Sequence, residues 1–558
     1  MIVKMKHLDL VCSSADRDAT LKELRELGAV HLDLSAAQGA AVTAAKGEGA
    51  DAEKAVRLIL KARGKRPLDD FDIRERSVEF VLSIESDRLT LVEEKDRLER
   101  EIRVYEPYGD FDPKLAAKLL SELESRGLKD ELGRLGLPAK LPEMRLAKMQ
   151  EKLDRVLNRI RIDDDKLAGA DEKAIMKKYP ALRDRIAFEC AREIMGEQGM
   201  LAFVSGWIPE NQVKSLEVRV KSCGWASLIR DPGEGEEPPT LIEPPKLFRP
   251  VTALFSGLGI APAYEEADVS IPFFCYFALF FAMLVGDGGY GALILAMSLY
   301  GWRKTAGNRT LVVKSWLTLL SVFSVGTIVW GLLSNTWFGA GLPFAKDWPT
   351  VRWLAGADAP EGHEYDNMML LCFTIGASHL ILARLWNAIS TINDRRCLSQ
   401  FGWAGIVLFM YIVTNSIIGI FPGIPTWSYV VFGVSFVAVF VQAKGIEKGM
   451  LFLNTMSVLG DVISYVRLFA VGLASVKVAA NFNDMALSIF GCTDIVWLKP
   501  LLAVPMIIVL LIGHGLNFAM AGLSILVHAV RLNTLEFSNH KGITWSGYAF
   551  KPFRKTKE

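Results

Sequence analysis

Two apolar segments late in the chain hold ionisable side chains where hydrocarbon would otherwise be continuous. Residues 456–482 contain Asp461, Arg467 and Lys477, and residues 499–530 contain His514, Asn517, Ser524 and His528 before reaching Arg531 and Glu536. An arginine keeps its proton at any physiological pH, because its pKa is above about 12. A charge at mid-bilayer costs at least about 2.5 kcal/mol. Arg467 lies about eleven residues into its segment, where snorkelling to the surface is difficult. It reads as a fixed positive charge that meets a bound or mobile anion. The competing reading is an arginine paired structurally, for instance with carbonyls. Gly460, Ser464, Ala470, Gly472 and Ala474 leave room for another helix to come close.

On a helix, positions 514, 517, 521, 524, 528 and 531 form one stripe by 3-4 spacing. Its residues are His, Asn, Ala, Ser, His and Arg. Such a face should meet protein or water, not lipid. Arg531 is close to the end of its segment, where basic residues are common, so its depth stays open. Lys477 has three readings: a partner for Asp484, the lining of a water path, or a snorkel to the outer face.

Those residues need membrane-spanning helices to hold them. Apolar stretches run at about 271–300, 311–333, 367–390, 402–422, 427–443, 456–482 and 499–530, and most can cross a core of about 30 Å. Arg303, Lys304, Arg309 and Lys314 place one loop inside, as do Arg395 with Arg396, Lys444 with Lys448, and the tail with Lys541, Lys551, Arg554 and Lys555. The loop 334–366 is acidic on balance and belongs outside. If residues 1–250 and 302–314 share the cytoplasm, residues 267–301 cross twice, with Gly286-Asp287-Gly288-Gly289 as the turn. The expectation is eight spans with both termini cytoplasmic; the alternative keeps one span there.

Residues 1–250 are dense in charge and predict a soluble arm. Residues 2–11 read as a strand, Asp16–Leu27 as a helix stopped by Gly28, and Val30-His31-Leu32 as the start of a second strand. Residues 36–55, rich in Ala and Gly, read as a loop. Ile84, Leu91, Leu98 and Tyr105 recur every seven residues. Leu146, Met149, Leu153, Val156, Ile160 and Leu167 keep the 3-4 spacing of a coiled-coil seam, with Asp163 the one polar interruption. An antiparallel coiled-coil hairpin at about 76–168 follows, with two separate amphipathic helices as the alternative. The domain expectation is α/β lobes at 1–60 and 185–232, a Pro-rich linker at 232–250, and a membrane domain at 251–558.

Several classes are excluded. A formal net charge of +1 and no basic stripe with aromatics argue against nucleic acid. The seven cysteines are scattered without zinc spacing and read as free thiols. The start, Met1-Ile2-Val3-Lys4-Met5-Lys6, is no signal peptide. There is no GxxxxGK[ST] and no GxGxxG after a strand, so the chain should neither bind nor hydrolyse ATP, and no cofactor is expected.

Ser464-Tyr465-Val466-Arg467-Leu468-Phe469-Ala470 and Val527-His528-Ala529-Val530-Arg531-Leu532, with Glu536-Phe537, resemble the stator ion-channel subunit of V-type and A-type rotary ATPases, called subunit I in prokaryotes and subunit a in eukaryotes. Gly206-Trp207-Ile208-Pro209, Pro272-Phe273-Phe274, Gly286-Asp287 and Trp337-Phe338-Gly339 agree in order along the chain. The resemblance implies a cytoplasmic α/β arm on a coiled-coil hairpin, then eight spans of α-helix. It implies a proteolipid (c or K) ring as partner, with the peripheral stalks (E and G or H) and the central-stalk connector (C or d). It implies the plasma membrane of a prokaryote. Arg467 becomes the principal stator charge and Arg531 its partner. Glu536, His528, Ser524, Asn517, His514 and Asp461 become candidates for lining two offset half-channels. An opposite charge set against desolvation would switch the ring carboxylate between its two protonation states. The shorter arm, residues 538–548 and Lys477 depart from the family pattern. A competing class is a secondary transporter of an anionic substrate with a cytoplasmic regulatory domain; it requires repeated broken helices. A membrane scaffold would leave the polar stripe unexplained.

Overall fold

A computed structural model of the chain describes residues 2–64, 73–126, 141–307, 310–357, 359–491 and 499–555. The chain divides into two units, Met5–Pro232 with Lys551–Glu558, and Met1–Lys4 with Gly233–Phe550.

In the first unit, alternating apolar residues make β1 (Met5–Ser13), which pairs antiparallel with two later strands. Helix α1 (Arg17–Leu27) buries Leu21 and Leu24 and stops at Gly28, which takes a left-handed conformation at φ 61°. The expected second strand shrinks to one bridge: His31 exchanges both backbone bonds with Trp207, at 2.8 and 2.9 Å. Gly206 permits that crossing, since a Cβ there would lie 2.6 Å from the His31 carbonyl oxygen.

Residues 36–55 correct the loop reading. Helix α2 (Ala40–Arg63) buries Val42, Ala45, Gly49, Ala52, Ala55 and Ile59. That is a helical stripe of small residues, and alanine is the strongest helix former. Its end is fixed by Arg63, which donates to the carbonyls of Ala168 and Ala170 and pairs with Glu172 at 2.8 Å.

Helices α3 (Val78–Tyr105), α4 (Pro113–Ser125) and α5 (Leu146–Ala168) follow. Ion pairs Arg88–Asp164 at 2.6 Å and Lys152–Glu94 at 2.6 Å set α3 antiparallel to α5. Asp163 is buried and accepts from Lys166 at 2.9 Å, so its carboxylate does not stand alone in the apolar contact.

Helix α6 (Glu172–Ile194) leads into β2 (Gly196–Gln198) and β3 (Leu201–Pro209). Helix α7 (Val213–Cys223) and β4 (Ala226–Arg230) complete a four-stranded antiparallel sheet of order β2-β3-β1-β4. Leu8, Leu10, Val204, Ile208, Leu216 and Val220 fill its core. So does Phe553, whose N–H donates to the Val30 carbonyl at 2.7 Å. The Lys551 N–H donates to His31 Nδ1 at 2.9 Å. The tail residues 551–555 therefore pack with this unit, although the sequence assigned them to the membrane domain.

The second unit is helical. After α8 (Val251–Leu258), helices α9 (Ser270–Val285) and α10 (Gly288–Lys304) meet at a 120° bend. Helix α11 (Leu311–Leu333) crosses α10 closely at Gly288 and Gly331. Helices α12 (Pro349–Leu354), α13 (Asp366–Ser390), α14 (Arg396–Ile417), α15 (Thr426–Gln442), α16 (Ile446–Ile463), α17 (Val466–Phe490), α18 (Lys499–Ser524) and α19 (Ser538–Lys541) follow. Among the described residues, five helices are long and apolar enough to cross a membrane, or six if the bent pair is one span. The 17-residue helix α15 is shorter. Two of the five are unusually long: Ile446–Phe490 has 45 residues and Pro500–Lys541 has 42. At about 1.5 Å per residue each exceeds 60 Å, twice the bilayer core.

Candidate functional site

Arg467 is the second residue of α17, just beyond a break at Ser464–Tyr465 that separates it from α16. It lies near the middle of the 45-residue apolar helix. Helices α17 and α18 run antiparallel, so the region after α18 returns to the level of Arg467.

That region is not an ordinary α-helix. Ile525–Ala529 and Leu532–Phe537 are π turns. Residues five apart on an α-helix point about 140° away from each other, whereas a π turn closes on every fifth residue. Arg531 and Glu536 are five apart, and the wide turn stacks them. Glu536 Oε1 receives Arg531 Nε at 3.4 Å and Arg467 Nη1 at 3.4 Å. The carboxylate side chain is 6% exposed, while the side chains of Arg467 and Arg531 are 25% and 53% exposed. One buried carboxylate thus holds two guanidiniums that reach outward. The sequence supplied both arginines and Glu536, but not this pairing inside the chain.

His514 and Asn517 belong to a second cluster. His514 bonds the Tyr290 hydroxyl through Nδ1 at 2.8 Å and Asn483 Oδ1 through Nε2 at 3.0 Å. Asn483 Nδ2 donates to the Phe338 carbonyl at 2.6 Å, so its oxygen is the acceptor and His514 Nε2 carries the proton. Nδ1 then accepts from Tyr290. Asn517 Nδ2 donates to the same hydroxyl at 3.0 Å and to the Ser475 carbonyl at 2.8 Å, and Asn517 Oδ1 accepts from Ser475 Oγ at 3.2 Å. The network joins α10, α17 and α18. Sequence reading met Tyr290 only within the motif Gly289-Tyr290-Gly291 that resembles the family, and it missed Asn483 and Ser475, because each lies in an otherwise unremarkable helical pattern.

Asp287 anchors the same region. It is fully buried and accepts from the N–H groups of Gly289, Phe338 and Gly339, each at 2.8 Å. It therefore caps α10 at its positive end and closes the Trp337-Phe338-Gly339 turn.

Asp461 stands in a third cluster. It accepts from His540 Nε2 at 3.0 Å, and His540 Nδ1 accepts from Arg384 Nε at 3.1 Å. Ser524 and His528 are half-buried, and Lys477 and Asp484 are exposed. The expected single stripe is thus divided: the π turns rotate Arg531 and Glu536 relative to His514 and Asn517.

No family model matches. The chain is 28% identical over 641 residues to the V-type ATP synthase subunit I 1 of Treponema pallidum (strain Nichols), covering all of both chains. It is 31% identical over 444 residues to the V-type ATP synthase subunit I of Borreliella burgdorferi, covering 73% of this chain and 70% of the relative. The A-type ATP synthase subunit I of Methanocaldococcus jannaschii is 23% identical over 435 residues, covering 70% of this chain and 60% of the relative.

Proposed function

The chain belongs to the subunit I family of V-type and A-type ATP synthases, and on that footing we propose that it is the stator ion-channel subunit of its complex. As a membrane subunit of such a complex, it faces a rotating proteolipid ring along its two long apolar helices. It offers the ring's carboxylates the charges of Arg467 and Arg531. Two offset half-channels bring H⁺ or Na⁺ to those carboxylates and take it away, which couples ion flow to ATP synthesis or hydrolysis elsewhere in the complex.

The observation that carries this reading is the arrangement around Glu536. Two outward-reaching guanidiniums share one inward carboxylate. On the helix that runs into this site, Leu511, Ile512, Leu523 and Leu526 are more than 60% exposed. An apolar surface with cations at its edge suits a partner that is itself apolar and carries an acid. A ring carboxylate arriving there competes with Glu536 for Arg467. Its ionised form is favoured beside the guanidinium and disfavoured once it moves into lipid. Asp461, His514, Asn517, Ser524 and His528 are the further polar groups from which the half-channels would draw their lining.

The same reading takes both arms of the bent α9–α10 pair and α15 as passes, giving eight spans with cytoplasmic termini in a prokaryotic plasma membrane. Residues 1–250 form the arm, with α3 and α5 as its coiled-coil hairpin. The arm would meet the peripheral stalks (E and G or H) and the central-stalk connector (C or d). Nucleotide chemistry belongs to other subunits. A transporter would need matching broken helices in two repeats, and one strongly bent pair is found among the described residues.

The test is ATP-driven ion uptake by the reconstituted complex carrying Arg467→Ala. Uptake should vanish while the complex still assembles; uptake at the parent rate would refute the assignment.

A further inference from the structure

Neither half of the Arg467–Glu536 pair has a rigid helical setting of its own. Arg467 follows a helix break, and Glu536 sits in a π turn. One buried side chain, His379 on α13, touches a direct or near neighbour of each. Its Nδ1 hydrogen-bonds the Tyr465 hydroxyl at 2.9 Å, and Tyr465 is two residues before Arg467. Its ring stacks on Phe537, next to Glu536, with centroids 4.5 Å apart and planes 16° apart. The opposite face stacks on Tyr276 at 4.1 Å. His379 and Tyr465 are both fully buried.

Helix α13 grips Tyr465 a second time. Gly376, one turn before His379, lies under the phenol ring, where a Cβ would come within 2.4 Å of it. The ring is therefore fixed at its face by Gly376 and at its hydroxyl by His379. Phe280 closes the cage edge-on, 5.4 Å from His379 and 6.0 Å from Tyr465. A side chain held by stacking on two faces and a hydrogen bond at its edge has little freedom to move.

We propose that His379 is the positioning residue of the ion-translocating pair: through Tyr465 and Phe537 it sets the distance between Arg467 and Glu536. This rests on the proposed stator function. His379 itself touches neither the arginine nor the ion. Its two contacts are separable by substitution. His379→Phe keeps the stacking and loses the bond to Tyr465. His379→Asn keeps a polar atom where Nδ1 stood and loses the stacking. Gly376→Ala leaves both chemical groups intact and displaces the Tyr465 ring.

The measurement is the ratio of ions pumped to ATP hydrolysed by the reconstituted complex, with ion leak in the absence of ATP. Damage that merely removes complexes lowers pumping and hydrolysis together and leaves the ratio unchanged. Displacement of Arg467 lowers the ratio. The expected result is a ratio reduced about tenfold in His379→Phe, Tyr465→Phe and Gly376→Ala, with the His379→Phe/Tyr465→Phe double variant no worse than either single one. His379→Asn should recover part of the loss seen in His379→Phe. A parental ratio in all three single variants, with Arg467→Ala inactive, would overturn the positioning role while leaving the stator function intact. A parental ratio in Arg467→Ala would remove the stator function itself.

Discussion

The carboxylate of Glu536 reaches the guanidinium of Arg467 at 3.4 Å, from a point 69 residues further along the chain. The same oxygen serves Arg531, while Glu536 Oε2 is buried and meets no donor among the described residues. A buried carboxylate is tolerable only with such partners. The ion pair therefore both stabilises Glu536 and holds the guanidinium of Arg467 beside it.

Glu536→Gln should leave Arg467 and Arg531 facing each other without a shared anion. Ion pumping is expected to fall about tenfold, equivalent to roughly 1.4 kcal/mol on the limiting barrier, with the complex still assembled. Initial rates of ion uptake, normalised to the amount of purified complex, check this; an unchanged rate would show that Glu536 is only structural.

Tyr290→Phe removes the hydroxyl that His514 and Asn517 both use. The buried Asn517 and the half-buried His514 each lose a partner, and such a loss at a buried group costs about 1–3 kcal/mol. The purified complex should lose its thermal resistance several degrees earlier, as followed by release of this subunit on heating. Release at the parental temperature would mean that the network is not holding α10, α17 and α18 together.

Asp287→Ala strips the cap from α10 and the anchor from the Phe338–Gly339 turn. Four backbone N–H groups, those of Gly289, Tyr290, Phe338 and Gly339, lose a charged acceptor, and hydrogen bonds to charged groups contribute about 1.5–3 kcal/mol each. Much less folded protein should reach the membrane, and cysteine-accessibility labelling in the 334–345 loop should rise. Normal yield with unchanged labelling would contradict the anchoring role.

The tail contact should respond to pH. Burial lowers the pKa of His31 below its ordinary value of 6.5, so the unfolded lobe takes the proton more readily than the folded one. The stability that His31 contributes is whole above about pH 6.5 and declines as pH falls from there towards the folded value. Protonation at Nδ1 would also remove the acceptor for the Lys551 N–H. Hydrogen exchange at the Lys551 and Phe553 amides should therefore quicken, beyond the intrinsic pH trend, between about pH 7 and 5.5. Phe553→Ala should destabilise this lobe by about 3–5 kcal/mol. A tail whose exchange follows the intrinsic trend alone would rule out the coupling.

Much of the frame was legible in the sequence because its signals are local. Gly28 ends α1 where a left-handed cap was needed. The seven-residue recurrence from Ile84 to Tyr105 gives α3, and Gly286-Asp287 marks the bend between α9 and α10. Residues 36–55 were misread because small side chains look like loop composition, although at helical spacing they let α2 lie close to its neighbours. The residues of the candidate site could be picked out by type and not by arrangement. Extending a 3.6-residue period past Ser524 fails where π turns intervene, so Arg531 and Glu536 fall on a face that periodicity does not predict. Partners such as Tyr290 for His514, or His540 for Asp461, lie 224 and 79 residues away, and no local pattern announces them.

The docking of Phe553 has a consequence for biosynthesis. The lobe built on β1 and β3 receives one of its core side chains from the last few residues of the chain. A ribosome adds about 5–20 residues per second, and roughly 320 residues, the membrane helices among them, are made between β4 and that side chain. For tens of seconds the nascent lobe exists with an unfilled core position, while the helices that follow are entering the bilayer. Translation order therefore makes Phe553 a late arrival: a chain that stalls within its membrane helices leaves that core position of the amino-terminal lobe unfilled.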